Sequence, residues 1–448
     1  MYDARGRAFL GRCLADAFLA GVWNERALVD RAGRALDRRP RWVRAVAREV
    51  LAAYPRPPSD RPRELARLIE LALRERPAPE GDSEPPRVRR WLVPEPAMGR
   101  RRWPVPEIAS LGALAGFLQV SDGELAWLAD ARGLERTVEN ERLRHYRYGA
   151  LPRPGRPVRV IERPKHRLKS IQRRVLHELL DWIPVHEAAH GFTRGRSVRT
   201  HARAHTGRFV VVRFDLEDFF ASVRAARVYG IFRTAGYPES VAYALTVLTT
   251  NVVPATVWHE LPRPVAPRLL GAHHHLGRRL ATPHLPQGAP TSPALANLAA
   301  FRLDRRLDGL AKSLEISYSR YADDLTFSGD ARLVRAAATV RRAVTQIARE
   351  EGFTVNESKS MLATRAGRQR VCGVVVNEHL NTPRREYDVL RAILHNSSRY
   401  GPQTQNRAAI PNFRAHLLGR ISWIESVNPR RGDKLRRHFA SITWQEDS

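Results

Sequence analysis

Phe209-Val-Val-Val-Arg-Phe-Asp215-Leu-Glu-Asp-Phe-Phe220 is a run of β-branched and aromatic residues that arrives at a carboxylate. It predicts a buried strand with Asp215 at a sheet edge, facing a cleft, before the chain enters a helix. Far downstream, Ile316–Tyr321 and Leu325–Phe327 flank Ala322-Asp323-Asp324, the pattern of a hairpin with two acids at its tip. Adjacent carboxylates on a turn repel one another unless cations lie between them. A lone Asp-Asp turn is ordinarily a solvated tip, so the weight rests on all three acids together. Held on rigid supports, they make a magnesium site, because hard oxygen ligands suit Mg²⁺ and Mn²⁺ better than zinc. Two such ions, roughly 3.5–4 Å apart, can activate an attacking hydroxyl and stabilise a leaving oxygen in one phosphoryl transfer.

Working outward, Leu333–Glu351 has apolar residues at helical spacing and stops at Gly352, which predicts a helix lying on the sheet. Val158–Ile161 reads as a further short strand, so the middle of the chain is expected to be α+β. Residues 6–76 show helical periodicity broken by Pro40 and by the prolines between 55 and 62, and form an N-terminal helical extension over 1–76. Residues 77–104 are rich in proline and charge and read as a linker. Two short helices follow, at 108–118 and 123–131. His273-His274-His275 cannot all face one ion, and their proline-rich surroundings look like an insertion loop.

The formal net charge of +30 creates a field that attracts polyanions, so nucleic acid is the expected partner. With Cys13 and Cys372 alone, neither a disulfide framework nor a zinc cluster built on cysteines is available. Charges break up the first thirty residues, and no stretch approaches ~18 uncharged apolar residues, so the expected location is cytoplasmic, with no membrane association.

Phe214-Asp215-Leu216-Glu217-Asp218-Phe219-Phe220, Leu285-Pro-Gln287-Gly-Ala-Pro-Thr-Ser-Pro293 and Tyr321-Ala-Asp-Asp324 occur in the order and spacing of three palm motifs of the reverse transcriptases, which the chain resembles over about 150–380. Gly352-Phe353 to Lys359 and Val371-Cys372-Gly373 follow as expected for that family. Arg159 to Gln172 and His190-Gly191-Phe192 are similar to the retron branch. This resemblance implies a right-hand polymerase fold, with fingers and palm over 105–380 and a short RNA-binding thumb over 381–448. By position it gives Asp215, Asp323 and Asp324 the metals, with Leu216 lending a carbonyl; two Mg²⁺ ions are implied, Mn²⁺ being a substitute. It sets Asp218, Phe219, Phe220 and Gln287 at the incoming nucleotide, with Lys165 and Lys169 from the fingers. Phe220 falls where the family excludes a ribose 2′-OH.

The chain has only five lysines, and Lys359, unlike an arginine, can surrender a proton at an accessible pKa; it is a candidate general acid toward departing pyrophosphate. Arg430, Arg431, Lys434, Arg436 and Arg437 form a basic cluster expected to track an RNA backbone. The implied partners are a structured noncoding RNA serving as template and primer, its DNA product, dNTPs and an effector protein, and the implied setting is anti-phage defence. Two alternatives stay open on the sequence: a group II intron or abortive-infection enzyme, and a non-catalytic RNA-binding protein with a polymerase fold.

Overall fold

A computed structural model describes residues 3–75, 86–130, 133–153 and 155–444. The chain forms two compact units, Met1–Pro184 with Val223–Leu295 and Val185–Ser222 with Ala296–Ser448. Helices and sheets occur in both, in keeping with the expected α+β class.

In the first unit, helices Ala4–Leu19, Glu25–Ala35, Trp42–Ala53 and Pro62–Arg74 share a core that includes Leu14, Phe18, Leu28, Val46, Leu65 and Ile69. Local chemistry sets their starts: Asp3 accepts from the Gly6 N–H at 2.6 Å, Asn24 from that of Ala27 at 2.9 Å, and Pro62 opens the fourth helix. Among the described residues Arg31 is buried without a carboxylate partner, yet it donates to the carbonyls of Ala17, Phe18 and Val22, at and beyond the end of the first helix. Of the expected linker, residues 77–85 lie outside the described residues. The described part, 86–104, contains no helix and is pinned along its length. Arg89 N–H meets Ala35 O at 2.8 Å, Trp91 Nε1 donates to Asp16 at 2.8 Å, and Gly99 N–H meets Gly236 O at 2.7 Å. Asp60 accepts from Arg233, and Glu239 from the Arg63 N–H, so the N-terminal helices are bonded to the rest of their unit. The same unit holds the antiparallel pair β1 (Tyr146–Leu151) and β2 (Arg159–Pro164), followed by helix His166–Glu178.

His273–His275 correct the loop expectation: they lie in helix Leu270–Leu280, where His273, Leu276 and Leu280 are its buried residues. His273 stacks on Trp258, with ring centroids 4.4 Å apart, which gives its imidazole a packing role.

The second unit is built on a four-stranded antiparallel sheet of β3 (Val210–Leu216), β4 (Ser317–Tyr321), β5 (Asp324–Gly329) and β6 (Val355–Thr364), in the order β4-β5-β3-β6. β3 is a central strand, and Val210, Val211, Val212, Phe214 and Leu216 are all buried while Arg213 and Asp215 stay half-exposed. Helix Ala331–Glu350 starts on the Asp330 cap and buries Leu333, Val340, Val344 and Ala348. At the C-terminal end, helices Arg384–Tyr400, Phe413–Val427 and Pro429–Ala440 enclose a small core of Leu390, Leu394, Leu417, Ile421 and Leu435. No helix among the described residues is long and apolar enough to cross a membrane.

Candidate active site

The β4–β5 hairpin turns on Ala322 and Asp323, and its last pair, Tyr321 with Asp324, closes the ladder. β3 runs antiparallel to β5 in the register that sets Asp215 directly opposite Asp324. The Leu216 N–H donates to the Asp323 carbonyl at 2.8 Å, fixing the turn against the end of β3. The sheet thus forces three carboxylates to one edge, although like charges directly opposite across a ladder repel.

Two cations offset that repulsion. Arg213 lies two residues before Asp215 on the same strand face; its Nε donates to Asp324 Oδ1 at 3.2 Å and a terminal nitrogen donates to Oδ2. Lys359 Nζ donates to both oxygens of Asp215, at 2.6 and 2.5 Å. Lys359 reaches there through an irregularity in β6, whose pairing with β3 jumps between Arg213↔Met361 and Asp215↔Asn356. The surplus residues of β6 bulge out and re-aim the side chain, a device common beside active sites. Burial, followed by the charge of Asp215, pushes the Asp323 carboxyl up; Asp324 adds to this and Lys359 opposes it. Among the described residues, no three or more His, Cys, Asp or Glu side chains converge as a ready metal cage; Asp215 is turned to Lys359 and Asp324 to Arg213. The donor set nonetheless has the chemistry of a hard divalent cation's site, oxygen donors with positive charge already drawn to them.

The hairpin stands on a buried polar scaffold that the sequence reading missed. Arg320 and Asp304 are both fully buried and paired through two bonds, at 2.8 and 2.6 Å. Tyr318 OH donates to the same Asp304 at 2.8 Å. Arg320 also donates to the Ala322 carbonyl at 2.9 Å and to Asn297 Oδ1 at 3.0 Å, and Asn297 donates to the Gly191 carbonyl at 2.8 Å. Ala322 has φ +55, an uncommon left-handed conformation for a residue with a side chain, and the Arg320 contact to its carbonyl helps hold it. Gly191 must be glycine here, since a Cβ would lie 2.6 Å from the Ala322 nitrogen. Beneath the hairpin, His205 bridges Ser328 and Ser319, and Ser319 meets His201, at 2.7–2.8 Å. Burial lowers His201 to about 2 and His205 to about 3, so both are neutral hydrogen-bonding groups. An arginine inside the expected strand Ile316–Tyr321 was the signal available for this scaffold, since a buried charge demands a partner.

The other expected site residues fall in several environments. Asp218 has φ +46 and its carbonyl accepts from the Ser222 N–H. Phe219 is buried, stacked on Phe353 at 5.7 Å and lying under the Arg320 guanidinium. Phe220 is half-exposed beside Phe192, with centroids 6.0 Å apart. In the first unit, Lys165 Nζ is held by the carbonyls of Glu141 and Arg142, whereas Lys169 lies exposed on its helix. Gln287 lies half-exposed in the turn after Leu285. Of the C-terminal cluster, Arg436 is paired with Glu425, and Arg431 donates to the Thr382 carbonyl and covers the Tyr387 ring. Arg430, Lys434 and Arg437 are exposed at helical spacing on one face.

Residues 151–390 match the family described as reverse transcriptase (RNA-dependent DNA polymerase). The chain is 43% identical over 297 residues to the Retron Mx65 reverse transcriptase of Myxococcus xanthus, a match covering 66% of this chain and 65% of that one. It is 36% identical over 356 residues to the Retron Mx162 reverse transcriptase of the same organism, covering 76% and 68%. With the Retron Ec86 reverse transcriptase of Escherichia coli it shares 31% identity over 290 residues, covering 64% and 78%. The chain thus spans about two thirds of the length of the two Myxococcus relatives. It belongs to the reverse transcriptase family, and within that family to the retron type.

Proposed function

We propose that the chain is an RNA-directed DNA polymerase that copies part of a structured noncoding RNA into single-stranded DNA. The observation that carries this reading is the register of β3, which sets Asp215 opposite Asp324 and ties the Asp323 backbone to Leu216. In the reaction, a primer hydroxyl oxygen, by resemblance an internal 2′-OH of the RNA at the first step, attacks the α-phosphorus of a dNTP. A phosphorus–oxygen bond forms, the bond to pyrophosphate breaks, and the hydroxyl proton departs. Asp215, Asp323 and Asp324, with the Leu216 carbonyl, are the residues that would hold two Mg²⁺ ions, Mn²⁺ serving as a substitute. Bound there, the ions would supply charge for the attacking and leaving oxygens.

The chain's own groups account for the rest. Arg213 holds the Asp324 carboxylate in place and Lys359 that of Asp215. Phe220 is placed to exclude a 2′-OH by volume, and Gln287 is the contact to the incoming nucleotide. In this reading the β3–β6 sheet is the palm, the β1–β2 region belongs to the fingers, and the three C-terminal helices form the thumb. Arg430, Lys434 and Arg437 then track the RNA backbone, while Arg431 and Arg436 hold the thumb together. The test is extension of oligo(dT) on poly(rA) with dTTP, with and without a chelator. Extension that needs Mg²⁺ supports the reading, whereas tight RNA binding without incorporation at any metal concentration would make the chain a non-catalytic RNA-binding protein.

A further inference from the structure

Glu162 projects from β2 into the interior of the first unit with a side chain 1% exposed. One of its oxygens accepts from Nε2 of His284 at 3.0 Å and from the Gln287 N–H at 3.4 Å; the other accepts from Asn251 Nδ2 at 2.8 Å. His284 is fully buried, and its Nδ1 lies 2.7 Å from the Thr282 carbonyl. A carbonyl only accepts, so Nδ1–H donates to it; facing the Glu162 carboxylate, Nε2 donates as well, which is the hydrogen bonding of an imidazolium. Burial pulls His284 down, but the charge and hydrogen bond of Glu162, with the Thr282 carbonyl, raise it overall.

The backbone repeats the connection. Glu162 N–H donates to the Gln287 carbonyl at 2.9 Å, and His284 and Asn251 exchange backbone bonds at 2.9 and 3.0 Å. Gly288 has φ +137, and a Cβ there would lie 2.7 Å from the Glu162 carbonyl. Ser292 Oγ donates to Pro286 O at 2.7 Å, closing the turn from its other side. A single residue of β2 therefore grips both the N–H and the C=O of Gln287, while the Gln287 side chain remains half-exposed.

A buried ion pair rarely stabilises a fold more than apolar packing would; what it provides is a fixed geometry. We propose that the Glu162–His284 pair is the positioning device for Gln287, setting where its side chain meets the incoming nucleotide. The inference rests on the reading of Gln287 as a nucleotide contact. Neither Glu162 nor His284 touches substrate; both act through the turn.

The test is steady-state extension by the full chain on poly(rA)/oligo(dT), read as separate kcat and KM for dTTP, with primer–template affinity measured in parallel. Glu162→Gln keeps the size and removes the charge. It is expected to raise KM for dTTP about tenfold, roughly the loss of one charge-assisted hydrogen bond, with kcat and primer–template affinity within about twofold. His284→Gln, a second route to the same turn should the first variant fold poorly, is expected to raise KM in the same direction. Amide exchange across residues 285–290 should quicken in either variant while helix Ala225–Thr234 stays protected. Gln287→Ala separates the two ideas. If it leaves KM unchanged, the nucleotide-contact reading fails; if it raises KM while Glu162→Gln and His284→Gln do not, the positioning inference is overturned. A lowered melting temperature with unchanged KM overturns it as well, leaving the pair a role in the fold alone.

Discussion

Asp323 is held where its own charge is disfavoured. Burial and the neighbouring Asp215 raise its pKa in the folded state, so folding above the ordinary carboxylate range works against its ionisation. The penalty is present at neutral pH and fades as pH falls through the raised folded value. Asp323→Asn should therefore stabilise the fold at pH 7 by roughly 0.5 kcal/mol, and the gain should shrink in acid. Thermal unfolding of both proteins from pH 3 to 8 checks this, and a variant less stable at every pH would contradict it. Phe220 offers a second single-residue test. Its half-exposed ring stands beside Phe192, and Phe220→Ala should lower the ratio of kcat/KM for dNTP to that for NTP by about tenfold or more. An unchanged ratio would return Phe220 to a packing role.

At the scale of elements, the hairpin is only as well placed as the scaffold beneath it. Arg320 and Asp304 have no exposed surface, so removing one partner strands the other. Asp304→Ala should cost about 3–5 kcal/mol in urea unfolding, far more than loss of an exposed pair. A cost below about 1 kcal/mol would mean that the pair is not what holds the hairpin. The hairpin itself was legible: the short runs Ile316–Tyr321 and Leu325–Phe327 around the Ala322-Asp323-Asp324 tip announce two strands and a turn, and the helical spacing of Leu333, Val340 and Val344 announces the helix behind them. The placement of Lys359 was not legible, because it depends on an irregularity in β6 that no local pattern marks. The helix at His273–His275 was hidden for a different reason: its stacking partner, Trp258, lies on another element. Glu162 and His284 are far apart in sequence and ordinary in type, so only the folded turn shows them as a pair.

For the whole molecule, the net charge of +30 announces a polyanion but not where it binds. In the C-terminal cluster Arg430, Lys434 and Arg437 are exposed, whereas Arg431 and Arg436 are already engaged. Replacing these three with alanine should lower the slope of log K against log salt for RNA binding by about two to three, leaving extension at saturating template intact. An unchanged slope would make the stripe a solvated face. If the acids at one sheet edge carry RNA-templated DNA synthesis, dTMP incorporation on poly(rA)/oligo(dT) must separate Asp323→Asn from the native chain. A loss of about a thousandfold or more is expected, with RNA affinity preserved and the fold no less stable. Incorporation by the variant at the native rate would contradict it.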